Sequence, residues 1–323
     1  MRFAAAILLT ASAASGQFKS TSTLVLAPTT VVDSKGHFVD GLEAKDLVLY
    51  DNNVMQPIQV DEAIYPISLV VAVQTSGNSQ AVIDKLGGSG ILFTELLAGH
   101  GGETAVLTFG GNVRELQDFT TDPDQLEKTL RSLHVQRGDA ASLDAVGEAL
   151  KLLQQRKPER RRVILLIAEN HDRASKRKFA DVLREVQRQN VVIYWLTYSP
   201  SLSAFSAKPR TVKSTGSEKD GELIPYDAGS QNLLNIIPEL AQLGKPAAAQ
   251  QLSKATGGRS VGFLKQDALE EAIQSVAAEV HRQYMVSFQP NPSRPGKFHF
   301  IRVAVKGQPE LQARTRAGYW PLP

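Results

Sequence analysis

Apolar and polar positions follow two different rhythms along this chain. Between residues 23 and 60 the period is two. Leu24-Val25-Leu26 leads through Thr29-Thr30-Val31-Val32 to a polar turn at Asp33-Ser34-Lys35-Gly36, then to Phe38-Val39 and a second turn at Asp40-Gly41. Leu47-Val48-Leu49-Tyr50, a turn at Asp51-Asn52-Asn53 and a run over 54–60 interrupted by Pro57 complete the segment. Short strands joined by tight polar turns, with no helical period, predict a small antiparallel β unit. From Ile67 onward the pattern becomes continuous apolar runs at 67–73, 104–109, 163–168, 191–198 and 260–263. Between them lie stretches with apolar residues on one helical face, such as Phe179, Val182, Leu183 and Val186, or Leu269, Ile273, Val276 and Val280. Strands that lack alternation are covered on both faces, so this part predicts a doubly wound α/β unit with a mostly parallel sheet. Asp122-Pro123 starts a further helix, an acidic N-cap followed by proline at the first helical position.

After residue 282 the period of two returns, over 284–288 and, beyond a Pro/Gly-rich turn at 290–296, over 298–305. In the second of these Ile301, Val303 and Val305 alternate with Arg302, Ala304 and Lys306, and a last strand falls near 311–316. Neither terminal β segment is long enough to bury a core alone. The two are therefore expected to pair into one β-sandwich, with the α/β unit inserted between them. The expected organisation is a signal peptide at 1–16, an N-terminal β segment at 17–63, the α/β domain at 64–282, and a C-terminal β segment at 283–323 that pairs with 17–63. Residues 199–227, rich in Ser, Lys, Gly, Glu and Pro, predict a long surface loop.

Composition narrows the chemistry. One positive charge at Arg2, a short apolar run at 3–9 and small residues over 11–16 have the form of a secretory signal cleaved before Gln17. Neither this run nor any later one approaches the roughly 20 apolar residues of a membrane-spanning helix. The chain has no cysteine, which excludes disulfides, thiolate catalysis, cysteine-ligated zinc and lipid attachment through cysteine. A net charge of +3 is too weak a field to hold nucleic acid. Its basic excess lies between Arg156 and Lys178, without the interleaved aromatic residues that single strands stack on, and is expected to be a solvated helix end.

The six histidines, His37, His100, His134, His171, His281 and His299, show no helical zinc spacing and read as surface or satisfied loop residues. Gly87-Gly88-Ser89-Gly90 lacks both the dinucleotide spacing and the Lys-Ser/Thr of a phosphate loop, and reads as a helix break. Ser76 lacks the flanking glycines of a nucleophile elbow. No catalytic constellation emerges, and a non-enzymatic role is expected.

The first continuous strand ends in Gln74-Thr75-Ser76-Gly77-Asn78-Ser79, and there the chain resembles the von Willebrand factor type A family. It looks most like an acidobacterial-type group of exported proteins with a β segment on each side of the A domain. The residues that carry this are Val31-Val32-Asp33-Ser34-Lys35-Gly36, Val39-Asp40-Gly41-Leu42 and Asp46-Leu47-Val48-Leu49-Tyr50-Asp51 near the start. Near the end they are Gln283-Tyr284-Met285-Val286-Ser287-Phe288 and Arg316-Ala317-Gly318-Tyr319.

The resemblance implies a metal-ion-dependent adhesion site at the C-terminal edge of the sheet, where open α/β sheets bind ligands. Its pattern is Asp-x-Ser-x-Ser after the first strand, a Thr from a later loop and an Asp after the fourth strand. These positions map onto Gln74, Ser76, Asn78, Ala140 and Glu169, and only Ser76 is kept. Magnesium wants six oxygens at about 2.1 Å, with carboxylates to offset its dehydration. Gln74 and Asn78 offer neutral carbonyls, Ala140 offers no side-chain oxygen, and Glu169 carries its carboxylate one methylene further out. Asp139, Ser142, His171 and Asp172 flank these positions as accessory candidates.

The protein so implied is an exported adhesion-type module with a degenerate site and no cofactor. It would engage an unknown protein partner in the cell envelope or outside it, through loops 74–79, 138–142 and 169–173, and would not bind nucleic acid. Two alternatives stay open: ligand binding through residual magnesium or manganese, and a metal-assisted hydrolase using Glu169 and His171. The oligomeric state is not legible.

Overall fold

The computed structural model describes residues 24–61, 65–170, 172–198, 248–263, 268–291 and 296–321. The expected signal segment 1–16 and the loop 199–227 lie outside the described residues. Four strands open the chain: β1 (Val25–Val32), β2 (Leu47–Asp51), β3 (Val54–Gln56) and β4 (Ile58–Asp61). Next come β5 (Ile67–Gln74), α1 (Gln80–Leu86), a π-helical segment Leu92–Ala98, β6 (Glu103–Phe109) and β7 (Val113–Thr120). They are followed by α2 (Pro123–Arg131), α3 (Ser142–Gln154), β8 (Arg161–Glu169), α4 (Phe179–Gln189) and β9 (Val191–Tyr198). The described chain ends with α5 (Ala248–Ala255), β10 (Ser260–Phe263), α6 (Ala268–His281), β11 (Tyr284–Phe288), β12 (His299–Val305), β13 (Gln312–Arg314) and β14 (Gly318–Tyr319).

The central sheet has the order β10-β9-β8-β5-β6-β7, parallel except for β7. Every residue of β5 is buried, which is why its sequence shows no alternation. Val71, Val73, Leu165, Ile167 and Leu196 pack on one face against α1, α2, α6 and the π-helical segment. Val70, Ala72, Ile164, Leu166 and Trp195 pack on the other against α3, α4 and α5. Each buried Val, Leu or Ile among them contributes about 1.5–3 kcal/mol on burial. Asp122 caps α2 as its sequence suggests, accepting the N–H groups of Asp124 and Gln125. The hydrophobic pattern does not predict β7. It is an edge strand, largely open to solvent, so its residues carry none of the apolar run that marks its neighbours.

The terminal segments form two four-stranded sheets, β13-β1-β11-β4 and β14-β12-β2-β3, so the doubly wound unit is inserted in a sandwich made from both ends of the chain. Val25, Ala27, Leu47, Leu49, Val286, Phe288, Ile301 and Val303 fill the space between them. Pro57 separates β3 from β4, and these two strands belong to opposite sheets. A proline has no N–H to continue a ladder, so the chain crosses from one sheet to the other there.

His299, expected at the surface or in a loop, is buried in β12. Its Nδ1 lies 2.8 Å from Asp51 Oδ1, and Tyr319 donates its hydroxyl to Asp51 Oδ2 at 2.7 Å.

Polar contacts join sandwich to α/β unit. Gln283 Nε2 donates to Tyr194 Oη at 3.1 Å and to Thr30 Oγ1 at 3.3 Å, and Tyr194 donates to Glu279 Oε1 at 3.0 Å. Glu279 is buried and paired with Arg259, at 2.6 Å, and Arg314. The Arg316 guanidinium donates to Gly318 O at 2.8 Å and also to Gln187 O and Asn190 Oδ1. Burial lowers its pKa to about 10, so it stays charged at neutral pH.

The first part of the basic stretch, Arg156 to Arg162, is not a solvated helix end, whereas Arg173, Lys176 and Lys178 are exposed. Arg156 makes a bidentate pair with Glu103 at 2.8 and 2.7 Å, and Arg160 donates to Ser68 Oγ at 2.7 Å, Ile67 O at 2.8 Å and Gly101 O at 2.9 Å. Arg161 reaches Val280 O and Gln283, and Arg162 reaches Arg156 O and Gln189 O. The reason is tertiary: these arginines lie at the start of β8, among backbone carbonyls left unpaired where strands and helices end.

Candidate functional site

Strands β5 and β8 are adjacent and end side by side in Gln74 and Glu169. Gln74 is 1% exposed, and both ends of its amide are engaged: Nε2 donates to Ser76 O at 3.1 Å and Oε1 accepts Glu169 N–H at 2.9 Å. The side chain thus ties its own turn to the neighbouring strand end. Thr75 N–H donates to Phe109 O at 2.7 Å, which anchors the same turn to β6. Gly77 follows at φ +65°, and a methyl group there would lie 3.2 Å from Glu169 Oε1 and 3.8 Å from Gln74 Nε2. A glycine lets the Glu169 carboxylate rest against the turn. Glu169 is only 6% exposed and sits opposite Tyr198 of β9, whose phenol pKa is raised, chiefly by burial and further by the charge of Glu169.

The other positions separate into those at this rim and those that leave it. Ser76 is buried with its hydroxyl unpartnered among the described residues, and Asn78 is exposed. Ala140 is buried, and its carbonyl accepts the N–H groups of Arg173 at 2.9 Å and Ala174 at 3.1 Å, holding the loop before α3 against the loop after β8. Asp139 next to it is exposed. Asp172 is buried and accepts Ser175 N–H at 3.2 Å. Ser142 opens α3 as a buried residue whose hydroxyl also has no hydrogen-bond partner among the described residues. His171 lies outside the described residues.

Among the described residues no three His, Asp or Glu side chains converge as a metal site would require. The donor set does not fit a divalent cation in the family manner. Gln74 Oε1 already accepts a backbone N–H, Ala140 brings no oxygen, and Glu169 is the one carboxylate at the adhesion positions.

One feature of the rim gives no sign of itself in the sequence. A pocket of about 310 Å³ opens between the β6–β7 turn at Gly111 and Asn112, Arg114 at the start of β7, and the segment His134 to Arg137 before α3. The glycines of the turn are visible in the chain, but nothing in the local sequence shows that residues 111–114 and 134–137 meet.

An open, doubly wound α/β sheet with its loops gathered at the strand C-termini defines a class of ligand-binding domains. Residues 70–171 match the model of the von Willebrand factor type A domain family, and the central unit is a von Willebrand factor type A domain. No protein of curated function matches the chain. Solved structures with a similar fold include a von Willebrand factor type A protein from Catenulispora acidiphila, at 10% identity and a TM-score of 0.48, covering 94% of this chain and 75% of that one. An aerotolerance-related membrane protein from Bacteroides fragilis has 12% identity and a TM-score of 0.42, with 66% of this chain and 98% of that chain covered. The von Willebrand factor domain of a type V pilus tip protein from Porphyromonas gingivalis has 10% identity and a TM-score of 0.42, with 68% and 96% covered.

Proposed function

We propose that this chain is an exported, non-enzymatic interaction module that docks a protein partner on the C-terminal edge of its central sheet, without a divalent cation. The observation that carries the reading is the Gln74 amide. Where an adhesion site would present a carboxylate to a metal, Gln74 spends its oxygen on Glu169 N–H and its N–H on Ser76 O. Gln74 thereby ties the turn after β5 to Glu169, and Ala140 O ties the loop before α3 to Arg173 and Ala174, which supplies the preorganisation a docking surface needs. Export rests on the form of residues 1–16, and none of the described helices is long and apolar enough to cross a membrane.

The test is a cross-linking pulldown from the native envelope fraction, with wild type and Asn78→Arg, with and without a metal chelator. Capture that survives the chelator and is lost in the variant is expected. Capture abolished by the chelator overturns the metal-free reading, and capture unaffected by Asn78→Arg overturns the docking face.

A further inference from the structure

Arginines at the C-terminal edge of the sheet differ from the rest. Among the described residues the others are engaged, either in ion pairs and hydrogen bonds or over aromatic rings. Arg114, Arg137 and Arg173 are exposed and their guanidinium groups make no such contact with described residues. All three lie on the rim: Arg114 just past the β6–β7 turn, Arg137 before α3, and Arg173 in the segment bonded to Ala140. Some of the carboxylates close to them are withdrawn, while Glu115, next to Arg114 on β7, is exposed. Glu169 and Asp172 are buried, and Asp144 accepts the N–H groups of Lys176 and Arg177, which leaves Asp139 as the exposed acid on the described rim loops.

Two of these arginines line the pocket, and the backbone brings the segments that carry them together. Gly138 has φ +123°, and a methyl group on it would lie 2.4 Å from Gly111 Cα. The loop that carries Arg137 and the turn that precedes Arg114 therefore close directly on one another. A guanidinium lacking an internal partner is open to a carboxylate, which it binds through two parallel hydrogen bonds. The wall is not purely polar: Val135 lines the pocket at 37% exposed, and Leu116 of the adjoining edge strand is 40% exposed. Apolar contacts beside paired cations suit a peptide. The described rim loops hold no Phe, Tyr or Trp on which a nucleic acid base would stack.

We infer, resting on the docking function proposed for this rim, that the partner presents an acidic segment, and that one of its Asp or Glu side chains enters the pocket between Arg114 and Arg137 while further acids face Arg173. The positive charge that a cation supplies in the family site is supplied here by exposed guanidiniums beside it.

The probe is a fluorescein-labelled peptide of alternating Glu and Ala, with its Gln-Ala counterpart, read by anisotropy on the full chain at low and physiological salt. The Glu peptide is expected to bind and weaken with salt, the Gln peptide to bind at least tenfold more weakly, and R114Q/R137Q to lose at least tenfold in affinity for the Glu peptide. R282Q/R302Q, which removes the same charge away from the rim, should stay within twofold of wild type. Glu and Gln peptides bound alike, equal losses in the two double variants, or tighter binding of an equally charged single-stranded oligonucleotide would overturn the inference. The pulldown separates it from the docking function. If Asn78→Arg abolishes capture and R114Q/R137Q does not, docking at the rim stands and acid recognition falls; if neither affects capture, both fall.

Discussion

The two ends of the central sheet use arginine in opposite ways. At the start of β8, Arg156, Arg160, Arg161 and Arg162 turn onto Glu103, Ser68, Gln283 and backbone carbonyls, and they hold strands, helices and sandwich together. At the opposite end Arg114, Arg137 and Arg173 are exposed, and their guanidiniums contact none of the described residues. A guanidinium with acceptors in reach is structural, and one without them stays open to solvent or to a ligand. The difference lies in the surroundings, because the side chain is the same.

Replacing residues at the two ends should separate these roles. The largest effect is expected for Arg160→Ala, which removes the donor to Ser68 Oγ, Ile67 O and Gly101 O and one of the two arginines paired with Glu103, and should cost about 3 kcal/mol in urea unfolding. Gln74→Ala is expected next, at about 2 kcal/mol, because Glu169 N–H and Ser76 O both lose a buried partner. R114Q/R137Q should change stability by less than about 0.5 kcal/mol, since neither side chain has an internal partner to lose; a larger loss would make these arginines structural and erase the contrast. The smallest effect belongs to the metal. Millimolar magnesium or manganese should move Tm by less than about 1 °C, whereas a ligand far above its Kd would raise it by several degrees. Restoring the family residues in Gln74→Asp, Asn78→Ser, Ala140→Thr and Glu169→Asp together should create a magnesium-dependent rise, which sharpens the comparison between a cation and guanidiniums at one rim.

Much of the fold is legible in the order of apolar and polar residues. Strands buried on both faces announce themselves as unbroken runs such as Ile67 to Val73, and Pro57 marks a break where the chain changes sheet. The edge strand β7 is invisible in that order because exposure gives it no apolar signature. His299 misleads for the complementary reason: a single polar residue in an alternating strand does not disclose that Asp51 and Tyr319, one of them far away in sequence, will share its burial.

For the candidate site, sequence alone determined that Gln74 and Glu169 stand at the ends of their strands and that Ala140 brings no side-chain oxygen. Periodicity likewise determined that a parallel sheet would carry them and that the two termini needed each other's strands. Only the tertiary structure decided that the Gln74 amide is satisfied at both ends, that Ser142 is a buried residue of α3, and that Arg114 and Arg137 face one pocket. The physical reason is that hydrophobic periodicity is a local property of the chain. Whether a polar group is paired depends on partners tens of residues away, and folding brings those together only once the sheet order is set.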